Sequence, residues 1–547
     1  MTFFVGCDVG SSSVRAGLID EHGKILNHVT KSISIKHHCQ NRYEQSSKEI
    51  WSNLCYVIKQ VCKGIPKEEV AGIGFCATCS LVLLDTSQKP CPIDESSPDH
   101  NIIMWMDHRA EEEANEINTT NYRVLDFVGG KISLEMQIPK IMWLKKHRPS
   151  LFNTKLGYLF DLPDFLTFKA TGSFSRSSCS VTCKWTYTHE KGWSKDFFEK
   201  NGLGKLCEND FEMIGSDIKT LGQTIGSGLT KQAAEEMSLL ENTPVSTSLI
   251  DAHCGGIGVL GCDTTKVGIP NTDLVNRLAV ISGTSSCHMS VTREPMFIKG
   301  VWGPYYSAMV PNYWLNEGGQ SATGKLIDFV VKSHPAYQNA IQEANHLNAG
   351  NVHEFLNQFL KKKALEMKLN FCDFLTKDLH VYPDFHGNRS PIADSSLRGM
   401  FSGLKLDDSL NDLSLKYLAT IQSVALQCRH IVLRMREHKS KDFPEQVFMC
   451  GGLSKNKLFM QVHANVLRVP VILSTEEEAV TVGAGILGAV GAKKFESSVE
   501  KAMKNMSHAK EVVLPEGPTE KYYDKKYNVY NLMLNNQIEY SKIMMSF

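Results

Sequence analysis

One small polar hairpin turn occurs twice in this chain, and a fold that must place both copies is narrowly constrained. The first copy is Asp8-Val9-Gly10-Ser11-Ser12-Ser13, set between the apolar runs 3–7 and 14–19. The second is Ile281-Ser282-Gly283-Thr284-Ser285-Ser286, between a strand-like run at 278–282 and a returning one at 287–291. Self-similarity of this kind signals a duplicated architecture. After the first turn comes a second polar turn at 21–24 and a third strand at 25–33. Helical periodicity follows over 47–63, with Ile50, Trp51, Leu54, Val57, Ile58 and Val61 on one face, and then a buried strand at 70–75. The order β-β-β-α-β is half of a doubly built α/β protein.

At 547 residues the chain exceeds one ordinary core. Two domains are expected, 1–265 and 266–547, each opening near one hairpin; the polar stretch 266–273, with Gly268 and Pro270, suits the junction. Residues 333–369 read as an amphipathic helical insertion. The tail 514–547 reads as helix packed on the outside, after Pro515 and Pro518. Lys plus Arg and Asp plus Glu both number 59, so charge gives no reason to expect nucleic acid or an anionic membrane as partner. No run approaches the roughly 18 apolar residues of a membrane span. The N-terminus has no signal-peptide pattern. The 16 cysteines are scattered in apolar surroundings and read as reduced thiols of a cytoplasmic protein. Nothing in the sequence excludes a homo-oligomer.

A Gly-Ser-Thr hairpin turn directs backbone N–H groups and hydroxyls to one point, a geometry that binds phosphate oxygens. Asp8, at the head of the first turn, is suited to hold Mg²⁺ through water. Small polar residues fill most hairpin turns, so one copy carries little; two, one of them led by Asp, carry much more. A third piece is the strand 447–450, followed by Gly451-Gly452-Leu453-Ser454-Lys455-Asn456 and a helix, where glycines let the backbone approach a planar ligand. Behind it, 482–489 is a helix of small residues, a close-packing surface. The fourth piece is a strand at 245–250 ending in Asp251-Ala252-His253. A carboxylate at the carboxyl end of a strand lies where α/β sheets bind ligands, and phosphoryl transfer to an alcohol needs such a base. Capping of the following helix is the plainer reading of Asp251 taken alone.

Three motifs are set aside. Residues 256–261 match G-x-G-x-x-G but fall within a helical stretch, and position 281, where a ribose-binding acid belongs, is Ile. The run 319–325, GQSATGK, has Leu326 where a phosphate-binding loop needs Ser or Thr, and no preceding apolar strand of the right type is expected. Cys76 and Cys79 form C-x-x-C, but their spacing to Cys179 and Cys183 is irregular for zinc. These thiols read as a buried pocket wall.

Together the pieces resemble the FGGY carbohydrate kinases, ribulokinase branch, over about 3–492. The blocks Ala77-Thr78-Cys79-Ser80-Leu81-Val82, Met104-Trp105-Met106-Asp107-His108-Arg109, Cys183-Lys184-Trp185, Asn316-Glu317-Gly318-Gly319 and Phe385-His386-Gly387-Asn388-Arg389 carry that resemblance. It implies two actin-like ATPase (ribonuclease H-like) domains with an ATP and sugar cleft between them. It also implies Mg²⁺-ATP held by Asp8, Gly10, Ser11, Ser12, Ser13 and Arg15, by Gly283, Thr284 and Ser285, and by an adenosine site at Gly451, Gly452, Ser454 and Asn456. Asp251 falls on the family's catalytic base. Lys184 and Glu317 fall on sugar contacts, and Cys79, Ser80, Asp107, His108 and Arg109 border the same pocket. The implied reaction is ATP-dependent phosphorylation of a ketopentose, D-ribulose foremost. Xylulose, L-ribulose or ribitol as substrate, and a weakly catalytic nucleotide-driven switch, are the alternatives. One departure stands out: Cys76 occupies a position where relatives usually carry Asp.

Overall fold

The first strand, β1 (Phe3–Val9), is buried along its whole length, as its sequence FFVGCDV requires of a strand covered on both faces. It pairs antiparallel with β2 (Ser13–Asp20), which places Asp8 opposite Arg15. On its other side it runs parallel to the strand Val70–Ala77, which places Asp8 beside Cys76. With β3 (Ile25–Ser32) and the two-residue strand Leu249–Ile250 these form a five-stranded sheet. The helix α1 (Ser47–Val61) covers it with Ile50, Leu54, Val57, Ile58 and Val61, and the Ser46 side chain caps its first turn by accepting from the Glu49 N–H. A second five-stranded sheet includes Leu81–Asp85 and Leu156–Asp161. The expected strand 245–250 is interrupted. Val245 bridges Ile73, the Thr247 N–H turns to the Gln223 carbonyl, and pairing resumes at Leu249–Ile250.

This computed structural model describes residues 1–39, 41–440 and 442–545. The chain divides into two units that do not follow sequence order. The first comprises Met1–Thr265, Met289–Asn316 and Ser474–His508; the second comprises Lys266–His288, Glu317–Leu473 and the described residues from Ala509 onward. The sequence reading runs the second domain unbroken from 266, whereas 289–316 and 474–508 pack with the first unit. For the latter segment the reason is visible in the helix Ala479–Gly491. A Cβ at Gly6 would overlap the Thr481 carbonyl, one at Gly72 the Gly488 carbonyl, and one at Gly74 the Ala484 carbonyl. On a further side, a Cβ at Gly258 would overlap the Ala479 carbonyl and one at Gly483 the Cys254 carbonyl. Backbone therefore lies directly on backbone, which only glycine at these positions allows. The small-residue helix is the close-packing surface expected, and its partners are β1, the strand Val70–Ala77 and the helix Asp251–Leu260.

The strand Arg277–Ser282 of the second unit runs parallel to Gln446–Cys450 and turns through 283–285 into a strand that begins at Ser286. The second hairpin thus lies where the repeat places it. Helices Tyr337–His346 and Val352–Glu366 form the expected insertion. The tail helix, Glu520–Met545, buries Tyr523, Lys526, Tyr530, Met533 and Leu534; the last two residues of the expected tail lie outside the described residues. Among the described residues no helix is long and apolar enough to cross a membrane.

The glycine layer makes a direct demand on stability. Gly74→Ala is expected to lower the free energy of unfolding by about 1–3 kcal/mol or more through overpacking. Gly452→Ala, where a Cβ meets nothing within 4 Å, should leave it unchanged. Urea denaturation of both variants checks this, and equal stability of Gly74→Ala with the parent contradicts it.

Candidate active site

Asp8 lies one residue before the end of β1 at the first hairpin, 2% exposed, and its Oδ2 accepts from the Arg15 guanidinium at 2.6 Å. The turn itself is closed by the Gly10 N–H to the Ser13 carbonyl at 3.0 Å. Around it, Trp105 Nε1 donates to Ser11 Oγ at 2.9 Å, Gln45 Nε2 to the Ser11 carbonyl at 2.8 Å, and the Ile33 N–H to the Ser12 carbonyl at 3.0 Å. Ser12 remains exposed at the tip while Ser13 is buried. Burial raises the Asp8 pKa despite the neighbouring Arg15, and Glu478 adds to the rise.

Asp251 opens the helix Asp251–Leu260, and Ile250 rather than Asp251 is its cap residue. Its Oδ1 accepts from the Ala252 N–H at 2.8 Å. Burial, with Asp8 as the next contributor, pushes its pKa up to about 7, against the opposing charges of Lys184 and Arg15. Lys184, at the end of the helix Ser178–Lys184, is 2% exposed, and its Nζ lies 4.2 Å from the centre of the Trp302 ring. The Cys79 thiol feels the charge of both Lys184 and Asp251, and burial pushes it up to about 12. Asp8, Arg15, Cys79, Lys184 and Asp251 therefore occupy one electrostatic neighbourhood in the first unit, although 243 residues separate the two acids in sequence (251 − 8). Cys76 faces Asp8, with Sγ 3.8 Å from Oδ1 and 3.4 Å from the Cys7 carbonyl, and burial raises its thiol pKa. It thus places a neutral group beside a buried carboxylate.

The Asp107-His108-Arg109 block is tied inward. The Arg109 Nε donates to Asp107 Oδ1 at 2.8 Å, and its Nη2 donates to Asp107 Oδ2 at 2.7 Å and Glu44 Oε1 at 2.9 Å. Both the Asp107 and Arg109 side chains are at most 1% exposed. The His108 N–H donates to the Asn41 carbonyl at 2.9 Å. Ser80, fully buried, accepts from the Trp105 N–H at 3.2 Å and so links the 77–82 block to the first hairpin.

In the second unit the turn 283–285 is buttressed by the run set aside as a near-match to a phosphate loop. A strand, Trp314–Gln320, does precede it, and a helix starts at Gly324. It is not the apolar strand that such a loop follows: WLNEGGQ is polar at Asn316 and Glu317, yet buried throughout all but its first residue. Its helix-opening N–H groups are already engaged, those of Thr323 and Lys325 by the Thr284 carbonyl at 2.9 and 3.2 Å, and that of Gly324 by the Gly283 carbonyl at 3.1 Å. Thr284 is left exposed, with Gly283 and Ser285 part-exposed. Gly451 adopts φ +92°, and a Cβ there would lie 2.5 Å from the Ser282 carbonyl, so glycine is required at this turn. Gly452 is exposed and open. Ser454 Oγ donates to the Gly451 carbonyl at 2.7 Å, and Asn456 caps the helix Lys457–Leu467. Asn456 also donates to Tyr417 Oη at 2.6 Å.

Glu317 is 2% exposed, and its Oε1 accepts from the Arg389 guanidinium at 3.1 Å. Gly319 makes room for that guanidinium, since a Cβ there would lie 2.5 Å from Arg389 Cδ. Arg389 and Lys140, whose buried ammonium donates to the Met104 carbonyl at 2.9 Å and the Glu135 carbonyl at 3.2 Å, have no assigned role in the sequence reading. Asp161, pushed up to about 7 by burial and accepting from Trp185 Nε1 and Gln137 Nε2 at 2.9 Å each, is likewise unassigned there. The quoted blocks contain Arg389, yet nothing in their spacing reveals its partner.

The Arg109 clamp supplies a test. Removing its charge in Arg109→Met deprives two buried carboxylates of their guanidinium and is expected to cost about 3–5 kcal/mol of stability. Calorimetry showing a parent-like midpoint contradicts the clamp.

The model of the FGGY family of carbohydrate kinases, N-terminal domain, matches residues 3–258, and that of the C-terminal domain matches 278–492. The chain is 47% identical to the FGGY carbohydrate kinase domain-containing protein of Homo sapiens, over 99% of this chain and 98% of that one. It is 38% identical to a D-ribulokinase of Saccharomyces cerevisiae, over 91% of this chain and 73% of that one. Its fold matches the crystal structure of xylulose kinase from Lactobacillus acidophilus with a TM-score of 0.80 at 18% identity, covering 98% of each chain. The fold is that of the two actin-like ATPase-type domains of such kinases. The chain belongs to the FGGY family of carbohydrate kinases, enzymes that use ATP as phosphate donor.

Proposed function

We propose that this kinase transfers the terminal phosphoryl group of ATP to the terminal hydroxyl of a ketopentose, D-ribulose foremost, giving the 5-phosphate. The observation that carries the reading is Asp251, a part-buried carboxylate at a helix start whose pKa, pushed up to about 7 by desolvation, suits a base at neutral pH. The likeness to a D-ribulokinase over most of the chain supports D-ribulose among the pentuloses.

Phosphoryl transfer asks the protein chiefly for positioning and charge stabilisation. In this reading the exposed Ser12 tip and the N–H groups of the first hairpin hold phosphate oxygens, with Arg15 adding positive charge. The turn at Thr284 is the further candidate for phosphate contacts, and the open backbone at Gly452 the candidate for the adenosine. Lys184 and Glu317 hold the sugar hydroxyls, Glu317 being kept in place by Arg389. Asp251 accepts the hydroxyl proton as the new P–O bond forms. Three carboxylates bear on one region of the first unit, Asp8 feeling Glu478 and Asp251 feeling Asp8, with burial disfavouring the charge of Asp8 and Asp251. That donor set fits Mg²⁺ carried with ATP, which Asp8 would hold and which would neutralise phosphate charge.

Two outcomes are expected. First, with Mg²⁺-ATP, ADP release should be sugar-dependent and D-ribulose should give the highest kcat/KM among D-ribulose, D-xylulose, L-ribulose and ribitol. Asp251→Asn should lower kcat about 10²–10⁴-fold. An Asp251→Asn variant that turns over like the parent contradicts the assigned base; a better substrate than D-ribulose replaces that substrate and leaves the chemistry.

Second, the base must be ionised to act, so kcat/KM should rise with pH through about 7 and level above it. The stability sign is opposite. Its folded pKa lies above the unfolded value near 3.9, so Asp251 favours folding below that value and loses this contribution as pH rises through 7. Asp251→Asn should therefore melt no lower than the parent at pH 8, which separates lost catalysis from lost folding.

A further inference from the structure

Outside the groups used above, one cluster of ligating side chains stands apart in the first unit. Cys179 and Cys183 lie four residues apart on the helix Ser178–Lys184, so their side chains share a face. His253 lies in the first turn of the helix Asp251–Leu260. All three are fully buried. Cys179 Sγ is 3.4 Å from His253 Nδ1, and one ligand atom from each of the three residues falls within 4.8 Å of the others.

The Cys179–His253 separation matches coordination geometry, and the bound of 4.8 Å on the other two leaves room for it. With zinc–sulfur bonds of about 2.3 Å and zinc–nitrogen bonds of about 2.0 Å at tetrahedral angles, sulfur and nitrogen sit about 3.5 Å apart and two sulfurs about 3.8 Å. A thiol–imidazole hydrogen bond in a packed core accounts for one pair; it does not account for a second thiol converging on the same point. The chemistry fits as well. Two thiolates and a neutral imidazole are soft donors, and their charge cancels that of a divalent ion, so an occupied site buries no net charge.

We propose that Cys179, Cys183 and His253 form a binding site for a thiophilic divalent cation of the Zn²⁺ class, joining the helix Ser178–Lys184 to the start of the helix Asp251–Leu260. On binding, each thiol releases its proton to solvent and forms a metal–sulfur bond, and no redox partner is involved. The site is distinct from Mg²⁺ at Asp8, whose donors are oxygens. An occupied site would tie the residue following Cys183, Lys184, to the helix turn that carries Asp251.

The test uses the full-length, metal-free chain under a phosphine reductant, titrated with Co²⁺ and then Zn²⁺. A thiolate-to-cobalt charge-transfer band saturating at one ion per chain and abolished by Zn²⁺ is expected. The band should be lost in Cys179→Ala/Cys183→Ala and in His253→Ala, and kept in Cys428→Ala, a buried thiol of the second unit. No band, or a band that survives the double variant, overturns the proposal. Should those variants fail to fold, zinc-edge X-ray absorption of the unaltered chain decides the matter. Two sulfurs at about 2.3 Å and a nitrogen at about 2.0 Å support the site, and a shell of oxygen and nitrogen alone overturns it.

Discussion

Contact of backbone on backbone, made by glycines on both sides, is the constraint on which the first unit depends. The helix Ala479–Gly491 lies so close to Gly6, Gly72, Gly74 and Gly258 that no side chain fits between. It touches both the strand that carries Asp8 and the helix that begins with Asp251. Close packing of this kind cannot deform gradually, because interiors are as dense as crystals. The position of the two acids relative to one another is thus set by a layer with no chemistry of its own. Glu478, the residue just before this helix, adds its charge to the neighbourhood of Asp8 for the same reason.

That placement has an electrostatic cost which the site turns to use. Desolvation raises the pKa values of Asp8 and Asp251, the charge of Asp8 adds to the rise at Asp251, and for Asp251 this lands near neutrality. A carboxylate of ordinary pKa would be a weak base at neutral pH; one raised to about 7 is matched to the task. Lys184 and Arg15 limit the rise, so the base still ionises within the physiological range. Cys76 contributes by being neutral, since a carboxylate in its place would lie against Asp8.

Much of this was legible in the sequence because it is local. The two hairpins, the strand before Gly451, the helix of small residues and the position of Asp251 all show in short patterns of polarity and glycine. The run 256–261 proves to be helix, as its context suggested, with Gly258 serving packing. What was not legible depends on residues far apart in the chain. The Arg109 clamp needs Glu44, the Glu317 carboxylate needs Arg389, and Cys179 needs His253. None of these pairs leaves a periodic trace. The return of 289–316 and 474–508 to the first unit was hidden likewise, since glycine spacing shows that a helix packs closely but not against what. The GQSATGK run shows the converse. Its strand and helix are present, yet its N–H groups are engaged by the second hairpin and serve as its support.

The measurement that tests the central claim most directly is phosphorus NMR of the unaltered chain turning over Mg²⁺-ATP with D-ribulose. The account requires ADP and a phosphomonoester resonance coupled to the protons of the terminal sugar carbon to grow together, with little inorganic phosphate. ADP accompanied only by inorganic phosphate, whether or not sugar is present, would contradict transfer to the sugar and leave a nucleotide hydrolase.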